Sequence, residues 1–178
     1  MRVIFILLIS VFSNQALSVE PSFTLENSIF EKVALEEGVD PLLLYSIALT
    51  ESAMSAGKGN IKPYPYVFRS NATGAKYFDS RMDAERELRK LLAVTNNVDI
   101  GMMQINLHYH PQKNPLLLLD PTKNLEVAVG YLKKTLASTE DPILGVGRYH
   151  SWTKELAYWY GQRVWKTYNN IAQLIAFE

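Results

Sequence analysis

Leu43-Leu44-Tyr45-Ser46-Ile47-Ala48-Leu49-Thr50-Glu51-Ser52 is an apolar run that ends in a carboxylate, and Asp40-Pro41 stands just ahead of it. An aspartate can accept a hydrogen bond from an unpaired amide at a helix start. A proline at the first helical position loses nothing by lacking its N–H. The stretch therefore reads as a helix from Pro41, with Glu51 in its third turn. Counting back three, four and seven residues reaches Ala48, Ile47 and Leu44, so Glu51 shares the apolar stripe near the helix's C-terminal end. Burial removes water from the carboxylate, and the negative end of the helix repels an anion. A raised pKa is expected, with a proton held near neutral pH as a general acid requires. The plainer alternative is a frayed end with Glu51 in solvent.

The same start signal recurs at Asp120-Pro121 and Asp141-Pro142. After the first of these, Leu125, Val129, Leu132 and Leu136 follow at helical spacing. Asn27 to Glu37 carries Ile29, Phe30, Val33 and Ala34 on one stripe and stops at Gly38. Met82 to Val94 sets Leu88, Leu91 and Leu92 among charges, and also reads as helix. Lys154 to Ala176 repeats Leu156, Trp159, Tyr160, Val164, Tyr168 and Ile171 on a helical face. The exception is Gly57 to Ser80, which is rich in proline and aromatic residues. There Val67-Phe68-Arg69 and Ala75-Lys76-Tyr77-Phe78 are expected to pair as a hairpin across Ser70 to Gly74. The fold class is mainly α, one domain with a short hairpin or aromatic loop inserted.

The first residues have the layout of a secretory signal: Met1-Arg2, the apolar run Val3 to Phe12, and the small-residue exit Ala16-Leu17-Ser18. The expected organisation is a signal peptide at 1–18 and a domain at 19–178, with no stable membrane span after cleavage. Lysine plus arginine and aspartate plus glutamate each number 18, so no basic field gathers a nucleic acid. There is no cysteine, which excludes disulfides, thiolate chemistry and cysteine-based zinc sites. His108-x-His110 lacks the i, i+4 spacing of a helical metal pair, and neither a metal nor a cofactor is expected.

Glu51-Ser52, Gly101-Met102-Met103-Gln104-Ile105-Asn106, Asp120-Pro121-x-x-Asn124-Leu125, Tyr131-Leu132 and Arg148-Tyr149-His150-Ser151 occur in that order. Together they resemble the lysozyme-like transglycosylases, and more narrowly the soluble lytic transglycosylase (SLT) domain. The likeness is to the small secreted form found with bacterial secretion, pilus and conjugation systems. The resemblance covers roughly residues 35 to 164. It implies a lysozyme-like fold and an enzyme that cleaves the N-acetylmuramic acid–N-acetylglucosamine bond of peptidoglycan, leaving 1,6-anhydro ends. It implies Glu51 as the catalytic acid and then base, and Gly101, Met103, Gln104 and Tyr149 as substrate-binding residues. Thr95 falls where many members carry a serine near the reacting sugar. Glycan strands are the implied substrate, an envelope machine a candidate partner, and the periplasm or exterior the implied location.

Two features depart from the family pattern. Its Tyr-Asn-x-Gly is Tyr149-His150-Ser151-Trp152 here, and the segment between Glu51 and Gly101 is long. The insert either walls the glycan groove, with Tyr64, Tyr66 or Phe68 stacking on sugars, or packs its own hairpin as a satellite cluster. Asp99, two residues before Gly101, is a candidate second carboxylate. It could position a water and make the enzyme a hydrolytic muramidase. The commoner role for such a residue is to cap a turn, or a helix beginning near Gly101. The altered Tyr149-His150-Ser151 segment leaves room for a third reading, a non-catalytic peptidoglycan-binding or secretion-scaffold protein.

Overall fold

The computed structural model describes residues 23–57 and 60–176; the signal peptide expected at 1–18 lies outside the described residues. Six α-helices are formed among them: α1 (Ile29–Glu37), α2 (Pro41–Ser52), α3 (Arg81–Leu92), α4 (Pro121–Leu136), α5 (Pro142–Gly147) and α6 (Lys154–Ala176). Short strands lie between: β1 (Ala53–Gly57), β2 (Asn60–Pro63), β3 (Val67–Ser70), β4 (Gly74–Tyr77), β5 (Val98–Ile100) and β6 (Ile105–Asn106). A 3₁₀ turn at Pro115–Leu119 leads into α4.

The three Asp-Pro starts cap as the sequence requires. Asp40 Oδ1 accepts from the Leu42 and Leu43 amides at 2.7 and 3.3 Å. Asp120 Oδ1 accepts from Lys123 N at 3.1 Å, and Asp141 Oδ1 from Ile143 N and Leu144 N at 2.9 and 3.1 Å. Each cap is worth about 1 kcal/mol. Two of these aspartates also hold α6 through their second oxygens. Tyr168 donates to Asp40 Oδ2 at 2.8 Å and Tyr158 to Asp141 Oδ2 at 2.6 Å. Local capping and tertiary docking thus share the same carboxylates.

Helix α2 is the hub of the core. Leu42, Leu43, Leu44, Ser46, Ile47, Ala48, Leu49 and Ser52 are all buried, which is burial all round rather than one stripe. The two buried serines bond back to carbonyls a turn earlier, Ser46 to Leu42 at 2.7 Å and Ser52 to Ala48 at 3.1 Å. Helix α1 begins at Ile29 rather than at Asn27, capped by Ser28, whose hydroxyl accepts from Glu31 N. It ends as expected at Gly38, whose φ of 68° suits a residue without Cβ. In α6 the buried residues include Ala157, Tyr160, Val164 and Ile171, whereas Leu156 and Trp159 are half exposed. The buried face of α6 is narrower on that side than the apolar spacing implies.

The hairpin forms in the expected place, with Val67 opposite Tyr77 and Ser70 opposite Gly74. It is not a detached satellite. Strand β3 also pairs with β5, placing Arg69 opposite Asp99 and Phe68 opposite Ile100, and β5 pairs with β6. The sheet order is β4-β3-β5-β6, so the insert is joined by backbone hydrogen bonds to the Gly101–Asn106 motif. Phe68 is buried and stacks on Phe78 at 5.1 Å, while Tyr64 packs against Tyr66 and Tyr77. None of Tyr64, Tyr66 and Phe68 lines the cleft described below; of the two roles open for them, packing against one another and the core is the one their contacts show.

Candidate active site

A cleft of about 820 Å³ opens between the sheet and the helices, and the end of α2 brings Glu51 into it. Asp99 and Arg69 line it from β5 and β3, Gln104 and Asn106 from the motif turn and β6, Tyr149, His150 and Trp152 from beyond α5, and Tyr160 and Arg163 from α6. The residues before Glu51 on its helix face, Leu44, Ile47 and Ala48, are inaccessible to solvent. The carboxylate is half-buried at the cleft floor, with apolar packing behind it.

That position sets its acidity. Burial pushes the Glu51 carboxyl up to about 7. A hydrogen bond from the Tyr160 hydroxyl, which ends 2.5 Å from Oε1, works in the opposite direction. The Asp99 charge raises the value further, and the Arg69 and Arg163 charges lower it. A group balanced this way exchanges a proton in the range where both its forms are populated. Tyr149 and Tyr160 are themselves pushed well above the usual phenol range, chiefly by burial and then by the Glu51 charge, so both remain hydrogen-bond donors.

The Gly-Met-Met-Gln motif is a tight turn between β5 and β6, not the start of a helix. Gly101 has φ of 78°, and a Cβ there would stand 2.4 Å from both Asn124 Nδ2 and the Leu118 carbonyl oxygen. Only glycine fits, by conformation and by space. Asn124 is buried and clamps the turn with both ends of its amide: Nδ2 donates to the Ile100 carbonyl at 2.9 Å, and Oδ1 accepts from Met103 N at 2.8 Å. Asp120 caps the helix that presents Asn124, so the Asp-Pro-x-x-Asn spacing has a mechanical reason. Gln104 sits at φ of 47° and donates from Nε2 to the Gly101 carbonyl at 2.8 Å. Tyr149 Oη donates to the Met103 carbonyl at 2.9 Å.

The residues expected at the site therefore separate into three groups. Glu51, Asp99, Gln104 and Tyr149 come together in the cleft. Gly101 and Met103 are buried beneath it and shape the turn rather than lining the groove. Thr95 stands apart: its Oγ1 accepts from Asn97 N at 3.1 Å, and it does not line the cleft. Asp99 is no cap either. It lies in β5 and accepts from Asn106 Nδ2 at 2.8 Å, with burial raising its pKa.

Sequence reasoning missed Tyr160, Arg69 and Arg163 as cleft residues, and it missed what His150 does. The His150 ring stacks on Tyr160 at 4.8 Å and 5° between planes, which holds the phenol that reaches Glu51. Burial lowers the His150 pKa, favouring the neutral ring. The only available signal was the i, i+3 spacing of Tyr160 and Arg163 on one helix face.

A mainly helical domain whose small sheet and helices enclose a cleft around one half-buried glutamate has a lysozyme-like architecture. The family model described as Transglycosylase SLT domain matches residues 28–172, and the chain belongs to that family. Members of the family are lytic transglycosylases that act on peptidoglycan. No match was found to a curated protein or to a solved structure. Among the described residues, no helix is long and apolar enough to cross a membrane.

Proposed function

We propose that this chain is an active lytic transglycosylase in which Glu51 serves as acid and then as base. Protonated Glu51 gives its proton to the oxygen between N-acetylmuramic acid and N-acetylglucosamine as the C1–O bond breaks. The substrate's acetamido oxygen shields the cation-like ring. Glu51, now ionised, takes the proton of the C6 hydroxyl while O6 closes onto C1. The product is a 1,6-anhydro end, and no water is consumed. Gln104 and Tyr149 hold the sugar at the cleft wall, while Gly101 and Met103 keep the turn that presents Gln104.

The observation that carries this reading is the state of Glu51: a cleft carboxylate pushed to about 7 and held by Tyr160. One group can then act in both proton transfers. The leader-like residues 1–18 support a periplasmic or secreted location. Service to a secretion, pilus or conjugation apparatus is the setting we propose from the family resemblance. The test is mass analysis of products from purified sacculi, with wild type and Glu51→Gln side by side. Anhydro muropeptides from the wild type alone are expected. Glycan binding without release of any product by the wild type would instead make the chain a binding or scaffold protein.

A second reading is favoured by one observation, that Asp99 lines the same cleft as Glu51. Two carboxylates flanking a glycosidic bond are the equipment of a hydrolase, one as acid and one to activate a water. Reducing N-acetylmuramic ends in place of anhydro ends would identify that chemistry in the same assay.

A further inference from the structure

Six arginines lie among the described residues, and most have polar partners. Arg81, Arg86 and Arg89 form ion pairs with carboxylates on α3 and, for Arg81, with Asp120. Arg148 donates to the carbonyl and hydroxyl of Ser138 at 2.8 and 2.7 Å. Of these six arginines, only Arg69 and Arg163 have neither a side-chain hydrogen bond nor an ion pair, and both line the cleft. They come from different walls, Arg69 from β3 and Arg163 from α6. Arg163 lies 4.8 Å over the Trp159 ring, which positions its guanidinium without using its donors. Arg69 sits opposite Asp99 in the sheet register but is not paired with it as a salt bridge.

Unpaired guanidinium groups on both walls of a substrate cleft are complementary to a planar anion, and a carboxylate fits their fork of donors. A plain N-acetylglucosamine polymer offers no such group. Muramic acid carries a lactyl carboxylate at C3, either free or continued into a peptide with carboxylates of its own. We propose that Arg69 and Arg163 determine specificity by binding a carboxylate on the muramic side chain of the strand. The proposal rests on the transglycosylase reading and narrows it to strands that carry this anion. Tyr149 and Gln104 would hold the sugar, while the arginines select the substituent.

The test compares Arg69→Gln, Arg163→Gln and the double variant on three soluble substrates. These are peptide-bearing strands, strands stripped of peptide so that the lactyl carboxylate is free, and strands whose carboxylates are capped as methylamides. Each single variant is expected to raise KM on a carboxylate-bearing substrate about tenfold more than on the capped strands, the effect of one lost charge-assisted hydrogen bond. Arg→Lys variants should recover part of the loss, because charge remains while the fork is gone. A larger effect on stripped strands assigns the lactyl carboxylate; a larger effect on peptide-bearing strands assigns the peptide's, and either supports the proposal. Equal losses on capped and uncapped strands would overturn it, as would a shift in pH optimum with no change in KM. If no strand is cleaved even by wild type, the catalytic reading has failed on its own. The arginines are then tested by strand affinity, measured with the same capped and uncapped substrates.

Discussion

Tyr160, in the second turn of α6, donates its hydroxyl to Glu51 at the end of α2, joining residues 109 positions apart in the chain. The bond reaches the one group whose charge state decides the proposed reaction, and it favours the ionised form against the burial that opposes it. Tyr160→Phe keeps the ring and its stack on His150 but removes the donor. The Glu51 pKa should then rise above its present value of about 7. A general acid works while protonated, so the alkaline limb of kcat/KM should move to higher pH. A pH profile on solubilised strands measures this directly, and a limb that stays in place would detach Tyr160 from catalysis.

Asp99→Asn should act with the opposite sign. The Asp99 charge helps to raise the Glu51 pKa, so removing it should move the alkaline limb to lower pH. Asparagine can still meet Asn106 in the sheet, and the fold should persist. On the one-carboxylate mechanism the products stay 1,6-anhydro and the rate falls modestly. Loss of activity by about a hundredfold or more, together with reducing ends in the wild type, would make Asp99 a working partner of Glu51.

The sequence announced the helical frame more fully than the site. Three Asp-Pro caps, the Gly38 stop and the Lys154–Ala176 helix are local signals, written by residues within a turn of where they act. The inward turn of Glu51 was legible for the same reason, since helical counting needs only nearby residues. The role of Asn124 was not. Its contacts to Ile100 and Met103 span 24 and 21 positions, and no periodicity encodes them. Tyr160 read as one more apolar position on α6, because a phenol packs like a phenyl ring until its hydroxyl finds a partner. Asp99 and Arg69 face one cleft only because β3 and β5 pair, and β5 is three residues long, too short for alternation to reveal.

Glu51→Gln should abolish most turnover, by about 10²- to 10⁴-fold, as expected for removal of a general acid–base. Its effect on stability should depend on pH. Below the ordinary carboxyl value of 4.5 the folded and unfolded chains both carry the proton, and the folded state is at no disadvantage. As pH rises from there through about 7, the unfolded chain releases a proton that the folded chain retains, so wild-type stability falls. The neutral glutamine escapes this loss. The variant should therefore gain on wild type across that window, approaching on the order of 2 kcal/mol above it once partial exposure to the cleft is allowed for. Thermal unfolding at pH 4.5, 6 and 8 would show the gap opening. A constant gap would mean that Glu51 is ordinary in the folded state.

The contact that places Tyr160 is made by backbone, and it offers a separate test. Helices α5 and α6 meet at glycines: a Cβ on Gly161 would stand 2.1 Å from the Ile143 carbonyl oxygen, and one on Gly147 1.9 Å from that of Ala157. Neither atom belongs to a flexible side chain, so an added methyl must separate the helices. Gly161→Ala should cost about 2 to 3 kcal/mol despite alanine's better helix propensity, because overpacking outweighs it. For a domain of this size that is a fall in Tm of about 4–12 °C. Gly161 follows Tyr160 directly and lies two residues before Arg163, so a shifted α6 also withdraws a hydroxyl and a guanidinium from the cleft. The variant should therefore lose activity at temperatures where it is still folded, and its alkaline limb should move in the same direction as that of Tyr160→Phe. Lower Tm with an unchanged pH profile would show that α6 can move on α5 without disturbing Glu51, and would separate the packing of these helices from the chemistry.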